Sequence, residues 1–282
     1  MLSSRWASFD LIFFDCDSTL STIEGVDELA RLKGKEGRVA LLTQKAMDGD
    51  LDLADVYGKR LKAIRPTRGQ LAAIEQLYWD HMVPDAREVV AALQFLGKQV
   101  FIISGGLAGP VRGFGARLGV PPEHIRAVEL EFNELSGDWW KYYDQSANTS
   151  QSYLAYEDGP LTISAGKPDI VTELAGDRWG RKLFVGDGMS DLRTRDKVDL
   201  FVGFGGVARR DKVETGSDVY VIASSLAPIL PMAAGEAGIA ALRGTPYEPT
   251  LDRGLALCRD SESVAFRNNG LSLAFTATFA PA

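Results

Sequence analysis

Short apolar runs recur along the chain, and each of the first four stops abruptly on polar residues or glycine. Residues 9–14 (FDLIFF) end in Asp15-Cys16-Asp17-Ser18-Thr19, and residues 99–103 (QVFII) end in Ser104-Gly105-Gly106. Residues 182–185 (KLFV) end in Gly186-Asp187-Gly188, and residues 199–202 (DLFV) end in Gly203-Phe204-Gly205-Gly206. Residues 218–222 (DVYVI) form a fifth run. Runs of this length and composition predict buried strands. Helical spacing lies between them. Pro84 to Leu96 carries Val89, Leu93 and Leu96 on one face and stops at Gly97; Leu107 to Leu118 stops at Gly119. Pro168 to Ala175 opens with proline at a first helical position and stops at Gly176. Strands alternating with helices predict an α/β fold with a parallel sheet.

Residues 21–82 carry no strand signal. Amphipathic stretches at roughly 26–47, 51–64 and 68–82 fill them. That is too much for one crossover helix, so a small helical cap inserted after the first strand is expected. The organisation that follows is a catalytic core of residues 1–20 and 83–232, a cap of residues 21–82, and a C-terminal extension of residues 233–282 without an assigned role. Residues 133–160, with Trp139, Trp140, Tyr142 and Tyr143, read either as an exposed loop or as a small β excursion.

Composition narrows the chemistry more than the fold. The 282 residues are 45% hydrophobic and 24% charged, enough for a packed core with an insert. The net charge of −7 argues against nucleic acid or an anionic membrane as partner. No apolar run is long enough to span a bilayer. The opening MLSSRWASFD lacks the apolar core of a secretory signal, so the cytoplasm is the expected location. Cys16 and Cys258 form no metal-site spacing, and neither has the Arg six residues later of a cysteine phosphatase loop. His81 and His124 are the two histidines and read as surface or helix-end residues. Catalysis must rest on carboxylates, hydroxyls, Lys and Arg.

In an open parallel sheet, ligands bind outside the carboxyl ends of the strands. Asp15, Ser104 and Asp187 each stand at such an end. Asp15 and Asp17 alternate in an extended segment and start on one face. A lone Asp-x-Asp is usually an ordinary turn. Here a buried strand precedes it, and Gly186-Asp187-Gly188 with Asp191 follows another strand. Four carboxylates and no histidine suit a hard, oxygen-seeking ion such as Mg²⁺. Ser104-Gly105-Gly106 offers a hydroxyl and open backbone N–H groups at a helix start, an anion cradle. Lys167, just before Pro168, opposes the helix dipole unless it faces an anion. No GxxxxGK[ST] or GxGxxG fingerprint points to a nucleotide.

Phe14 to Leu20 (FDCDSTL), Ser104-Gly105-Gly106, Lys167 and Gly186 to Asp191 (GDGMSD) resemble, in order and spacing, the four motifs of the haloacid dehalogenase superfamily. Glu24 to Ala30 (EGVDELA), Lys45 to Gly49 (KAMDG), Lys59-Arg60-Leu61, Ile102 to Gly106 and Val202 to Gly206 are similar to segments of its phosphoserine phosphatase family. The resemblance runs from about Phe9 to Pro231. It implies a Rossmann-like core with a cap, and a Mg²⁺-dependent phosphomonoester hydrolase of serine biosynthesis, monomeric or homodimeric, acting on a small molecule. It implies Asp15 as nucleophile and Asp17 as acid and then base. Mg²⁺ would be held by Asp15, Asp187 and the Asp17 carbonyl, with Asp191 and Ser190 in support. Ser104, Gly105 and Lys167 would bind the phosphoryl group, Glu24 the substrate ammonium and Arg60 its carboxylate. Leu53 stands where an aromatic residue is expected, Ala165 replaces a more usual glycine, Met189 and Ser190 fill variable places, and 133–160 is long; the substrate is what these departures bear on.

Residues alone leave other readings open. The same chemistry could serve another small phosphomonoester or pass the phosphoryl group to a second alcohol. A phospho-receiver domain also gathers strand-end acids, a hydroxyl and a Lys around Mg²⁺, but lacks Asp17 and the 21–82 insert. Leu53, Tyr57, Arg60 and Ile64 fall on one helical stripe that is otherwise apolar. Arg60 must therefore snorkel to solvent or reach an anion.

Overall fold

The structure, a computed structural model, describes residues 6–279 except 49, 142 and 144, and leaves the side chains of residues 38, 47, 53 and 145–147 undescribed. Gly49, Tyr142 and the Leu53 side chain, all named above, lie outside the described residues. Strands are β1 (Leu11–Phe14), β2 (Gln99–Leu107), β3 (Ile125–Val128), β4 (Leu130–Phe132), β5 (Tyr153–Tyr156), β6 (Lys182–Gly186), β7 (Leu200–Phe204), β8 (Val219–Val221) and β9 (Val264–Phe266). The main sheet has the order β3-β2-β1-β6-β7-β8-β9, parallel except for β9, which pairs antiparallel with β8. β1 lies at its centre, between β2 and β6, with Phe13 level with Phe101 and Phe184. Those rings stack at centroid distances of 4.7 and 6.3 Å. The central strands are buried, apart from the half-buried Lys182 that opens β6, which is why each reads as an apolar run.

Helices α1 (Gly25–Leu32), α2 (Glu36–Met47), α3 (Leu53–Ile64) and α4 (Arg68–Asp80) lie between β1 and β2 and form the cap. The stretch expected at 26–47 is two helices, parted by the polar, exposed turn Lys33-Gly34-Lys35. The insert leaves and rejoins the core at adjacent points: Ser21 bridges Met82, and Val83 N–H donates to Leu20 O at 2.9 Å. Then come α5 (Ala86–Phe95), α6 (Ala108–Arg117), α7 (Lys167–Ala175), α8 (Met189–Leu192) and α9 (Asp211–Gly216). Two local readings shift. Ser104-Gly105-Gly106 lies inside β2, whose pairing with β3 is irregular between Ile103 and Leu107, so the cradle sits in a strand end and not at a helix start. Lys167 is the first residue of α7, with Gly166 before it.

Two further stretches acquire structure. Leu130–Phe132 and Tyr153–Tyr156 make the antiparallel pair β4–β5, and Tyr153 N–H donates to Pro66 O at 2.8 Å, tying this excursion to the cap. Beyond residue 228 come α10 (Ile229–Leu242), α11 (Glu248–Arg259), β9 and α12 (Asn269–Phe279). Leu242, Leu251, Val264 and Phe275 join the same hydrophobic core as β1. Trp6 packs edge-on against Phe266 and Phe275, so the C-terminal segment packs on the residues that lead into β1, and β9 adds the last strand to one end of the sheet. Cys16 and Cys258 are buried free thiols.

Candidate active site

The strand order makes Asp15 and Asp187 neighbours. Asp15 follows β1 directly and its N–H donates to Val185 O at 2.9 Å; Asp187 follows β6 directly. Carboxylate oxygens of Asp15, Asp187 and Asp191 lie within 4.8 Å of one another, all buried. Burial, and then the neighbouring Asp191, push the Asp15 carboxyl well above its ordinary range, against the opposing pull of Lys167. Burial pushes Asp187 up to about 6, and the Arg210 guanidinium works against that rise. An all-oxygen cluster whose negative charges raise one another's proton affinity fits a divalent cation such as Mg²⁺.

Two cations already thread this cluster. Lys167 Nζ lies 2.9 Å from Asp15 Oδ1 and 2.6 Å from Asp191 Oδ1. Burial works against its charge, yet Asp15 and Asp191 together hold the ammonium above its ordinary range. The Arg210 guanidinium donates twice to Asp187 Oδ2, at 3.1 and 2.9 Å, and also stands 3.6 Å from Asp48 Oδ1. Asp191 Oδ2 accepts from Gly188 N–H at 2.9 Å, so its second oxygen holds the loop after β6.

Asp17 turns away from that cluster. Its Oδ1 accepts from Gly25 N–H and from the Tyr78 hydroxyl, each at 2.7 Å. Its Oδ2 accepts from Ser104 Oγ at 3.2 Å, and Ser104 Oγ accepts from Gly106 N–H at 2.9 Å. Glycine is needed at 106, because a Cβ there would stand 2.6 Å from Asp17 Oδ2. The Tyr57 hydroxyl donates to Gly105 O at 2.9 Å, which fixes the cap's α3 over the cradle.

One cavity joins these groups to the cap. Asp15, Asp17, Gly105 and Lys167 line its floor, with Ser190 at the side and Glu24 and Arg60 toward the cap. Glu24 accepts from Ser18 Oγ at 2.7 Å; burial, then Asp17 and Asp187, raise its carboxyl well above the ordinary range. Arg60 is 5% exposed and does not snorkel. One of its terminal nitrogens donates to Thr43 Oγ1 at 2.8 Å, and Thr43 donates to Asp27 at 2.6 Å. Its Nε is buried without a partner among the described residues. A buried guanidinium with an unused donor in a cavity wall suits an anionic group. Of the candidate site residues, Asp15, Asp17, Glu24, Arg60, Gly105, Lys167 and Ser190 line this cavity, while Ser104, Asp187 and Asp191 are buried and do not line it.

Sequence reasoning passed over Arg210, Tyr57, Tyr78, Thr43 and Asp27. A signal existed for Arg210, which comes soon after the Gly203-Phe204-Gly205-Gly206 end of β7, beside the β6 end that carries Asp187. None existed for the tyrosines, which sit in apolar helical stripes that read as core.

Comparison with known proteins agrees with this geometry. Residues 9–194 match the haloacid dehalogenase-like hydrolases. Phosphoserine phosphatase of Mus musculus is 32% identical over 222 residues, spanning 78% of this chain and 92% of the relative. That of Drosophila melanogaster is 32% identical over 213 residues, 75% of this chain and 74% of the relative. A solved phospho-aspartyl intermediate analogue of phosphoserine phosphatase superposes with a TM-score of 0.66 at 23% identity, covering 79% of this chain and 98% of that one, a likeness of fold. A strand-end acid cluster beneath a helical cap, matched over most of the chain, has one consistent assignment: this chain belongs to the haloacid dehalogenase-like hydrolases.

Proposed function

We propose that the protein hydrolyses O-phospho-L-serine to L-serine and phosphate through a phosphoaspartate on Asp15. The observation that carries this reading is the single cavity with Asp15 and Lys167 on its floor and a buried Glu24 and Arg60 toward the cap. A phosphate lies beside an ammonium and a carboxylate in phosphoserine, and the cavity offers each group an opposite charge. The names of the curated relatives support it further.

Asp15 attacks phosphorus as the ester P–O bond breaks, and Asp17 gives its proton to the departing serine alkoxide. The Asp17 carboxylate then takes a proton from water. The water oxygen bonds phosphorus, the bond from phosphorus to Asp15 breaks, and phosphate leaves with both aspartates restored. Lys167 stabilises charge on the phosphoryl oxygens, together with the Ser104–Gly105 segment. Asp15, Asp187 and the Asp17 carbonyl would hold Mg²⁺, supported by Asp191 and Ser190; when bound, the ion would reduce repulsion between the anionic nucleophile and ester. Residues 21–82 act as the cap that supplies Glu24 and Arg60.

Phosphate release from a panel of phosphomonoesters with Mg²⁺ tests the reading. L-phosphoserine should be turned over with the highest kcat/KM. If phosphoserine is turned over with a kcat/KM no higher than that of phosphoglycolate, the amino-acid specificity is wrong.

Two further outcomes are expected. Arg60→Lys and Glu24→Gln should each lower kcat/KM for L-phosphoserine by about 10- to 100-fold, the equivalent of losing a charged hydrogen bond. A lysine cannot reproduce a guanidinium's paired donors. Both variants should leave p-nitrophenyl phosphate, which has neither group, almost untouched.

The second outcome concerns the metal. Carboxyls raised in the folded state make ionisation of Asp15 and Asp187 costly to folding at neutral pH. A bound cation removes that cost, so Mg²⁺ should raise Tm, by more at pH 8 than at pH 5, where protons compete. Calorimetry with and without EDTA reads the difference; an equal rise at both pH values would contradict the carboxylate assignment. Activity should vanish in EDTA and return with Mg²⁺. Ca²⁺ should inhibit, because it takes more oxygen ligands at longer distances.

A further inference from the structure

Asp17 has to present one oxygen to the leaving group and then to water. A carboxylate turns readily about its last bond, so something must fix its plane. Oδ1 receives two donors at 2.7 Å, from Gly25 N–H and from Tyr78. Oδ2 receives only the longer contact of 3.2 Å from Ser104 and lies beside Gly106. With Oδ1 occupied by two donors, the proton that Asp17 gives and takes resides on Oδ2.

Tyr78 comes from α4, the last cap helix before the chain returns to the core. It is fully buried. Its ring packs against Phe114 of α6 at 5.7 Å, which leaves the hydroxyl a single direction. The site is fitted to it: a side chain at Gly25 would put its Cβ 2.2 Å from the Tyr78 oxygen. A tyrosine needed only for packing could be phenylalanine. This one carries a hydroxyl that donates to Asp17 Oδ1 at 2.7 Å.

We infer that Tyr78 is a positioning residue for proton transfer: its hydroxyl holds Asp17 Oδ1 so that Oδ2 faces the leaving oxygen. The inference rests on the phosphatase reading and adds to it a residue through which the cap sets the acid–base geometry. It has a consequence that loss of packing does not. An alkyl ester such as phosphoserine releases a basic alkoxide and needs the proton as its bond breaks. p-Nitrophenyl phosphate releases a stable phenolate and does not.

The test is rapid-quench single-turnover kinetics on Tyr78→Phe in Mg²⁺, with L-phosphoserine and with p-nitrophenyl phosphate. Phosphorylation of the enzyme by phosphoserine should slow by about 10- to 100-fold, part of the effect of general acid catalysis. Phosphorylation by p-nitrophenyl phosphate should hardly change. Hydrolysis of the phosphoenzyme, where Asp17 acts on water, should slow by the same factor after either substrate, so phosphoenzyme accumulates with p-nitrophenyl phosphate. Trp79→Phe, next along the helix and also against Phe114, should leave all three rates as they were. Equal slowing of both phosphorylation steps by Tyr78→Phe, or no slowing of either, overturns the inference. If the unmodified protein fails to turn over phosphoserine, the substrate reading is what has failed, and the same comparison is made with an alkyl phosphate that the panel shows to be accepted.

Discussion

Asp15→Asn should abolish turnover of every phosphomonoester, by at least about 10⁴-fold, the scale on which a lone nucleophile's loss is felt. The amide matches the carboxylate in size and can still accept from Cys16 N–H, which donates to Oδ1 at 2.8 Å. What it lacks is the charge and nucleophilicity of the carboxylate. Stability should move the other way. The Asp15 carboxyl is raised by burial and by Asp191, Asp187 and Asp17, so in the window above its unfolded value the folded state binds the proton more tightly. Ionised Asp15 therefore costs stability at neutral pH, and a neutral side chain removes that cost. Part of the gain is offset by the lost contact with Lys167, 2.9 Å away. Tm should hold or rise while activity disappears. Inactivity with a collapsed Tm would mean that Asp15 is structural.

Lys167→Met should damage both properties at once. The ammonium is the cation within hydrogen-bond reach of both Asp15 and Asp191, and its side chain is 5% exposed. Removing one partner of a buried ion pair leaves the other charge uncompensated, at about 3–5 kcal/mol. That penalty should shrink as pH falls, because Asp15 can then take up a proton in place of the lost cation. Turnover should fall by about 10²–10³-fold, as for loss of one preorganised donor to a developing anion. Chemical denaturation at pH 7.5 and pH 5.5, beside kcat with Mg²⁺, separates the two effects. A variant that is destabilised but retains normal kcat would place Lys167 outside the phosphoryl chemistry.

How much of this was legible in the sequence depends on what each residue had to signal. The strands of the main sheet nearest the site were legible because burial on both faces leaves an unbroken apolar run, and the acids follow where the run stops. Asp15 and Asp187 could be picked out for that reason alone. Arg60 was legible as a misfit, a charge in an apolar stripe. Tyr78 was not, for the opposite reason. Leu71, Ile74 and Tyr78 are spaced 3 and 4 along α4 and all are buried, so the tyrosine completes an ordinary core face and its hydroxyl leaves no trace in the pattern.

The C-terminal segment hid for a different physical reason. α10 is apolar almost all round, its first half is wholly buried, and it is kinked at Gly235 (φ 68°), so neither a polar face nor one continuous helical period marks it. β9 is three residues long, too short to alternate. The pair β4–β5 flanks a long irregular stretch, and strands of three and four residues pair only because residues 20 apart or more are brought together by the fold. Contacts such as Arg210 with Asp187 depend on the neighbouring β6 and β7, which strand order alone decides.

The central claim is that the phosphoryl group of L-phosphoserine passes through Asp15. Rapid acid quench during turnover with Mg²⁺, followed by peptide mass spectrometry across Phe14–Leu20, tests it most directly. One phosphoryl group should be found on Asp15, formed before phosphate is released and decaying at the rate of turnover. Phosphate released with no phosphorylated peptide at any time, or a phosphoryl group on Asp17 in place of Asp15, would contradict it.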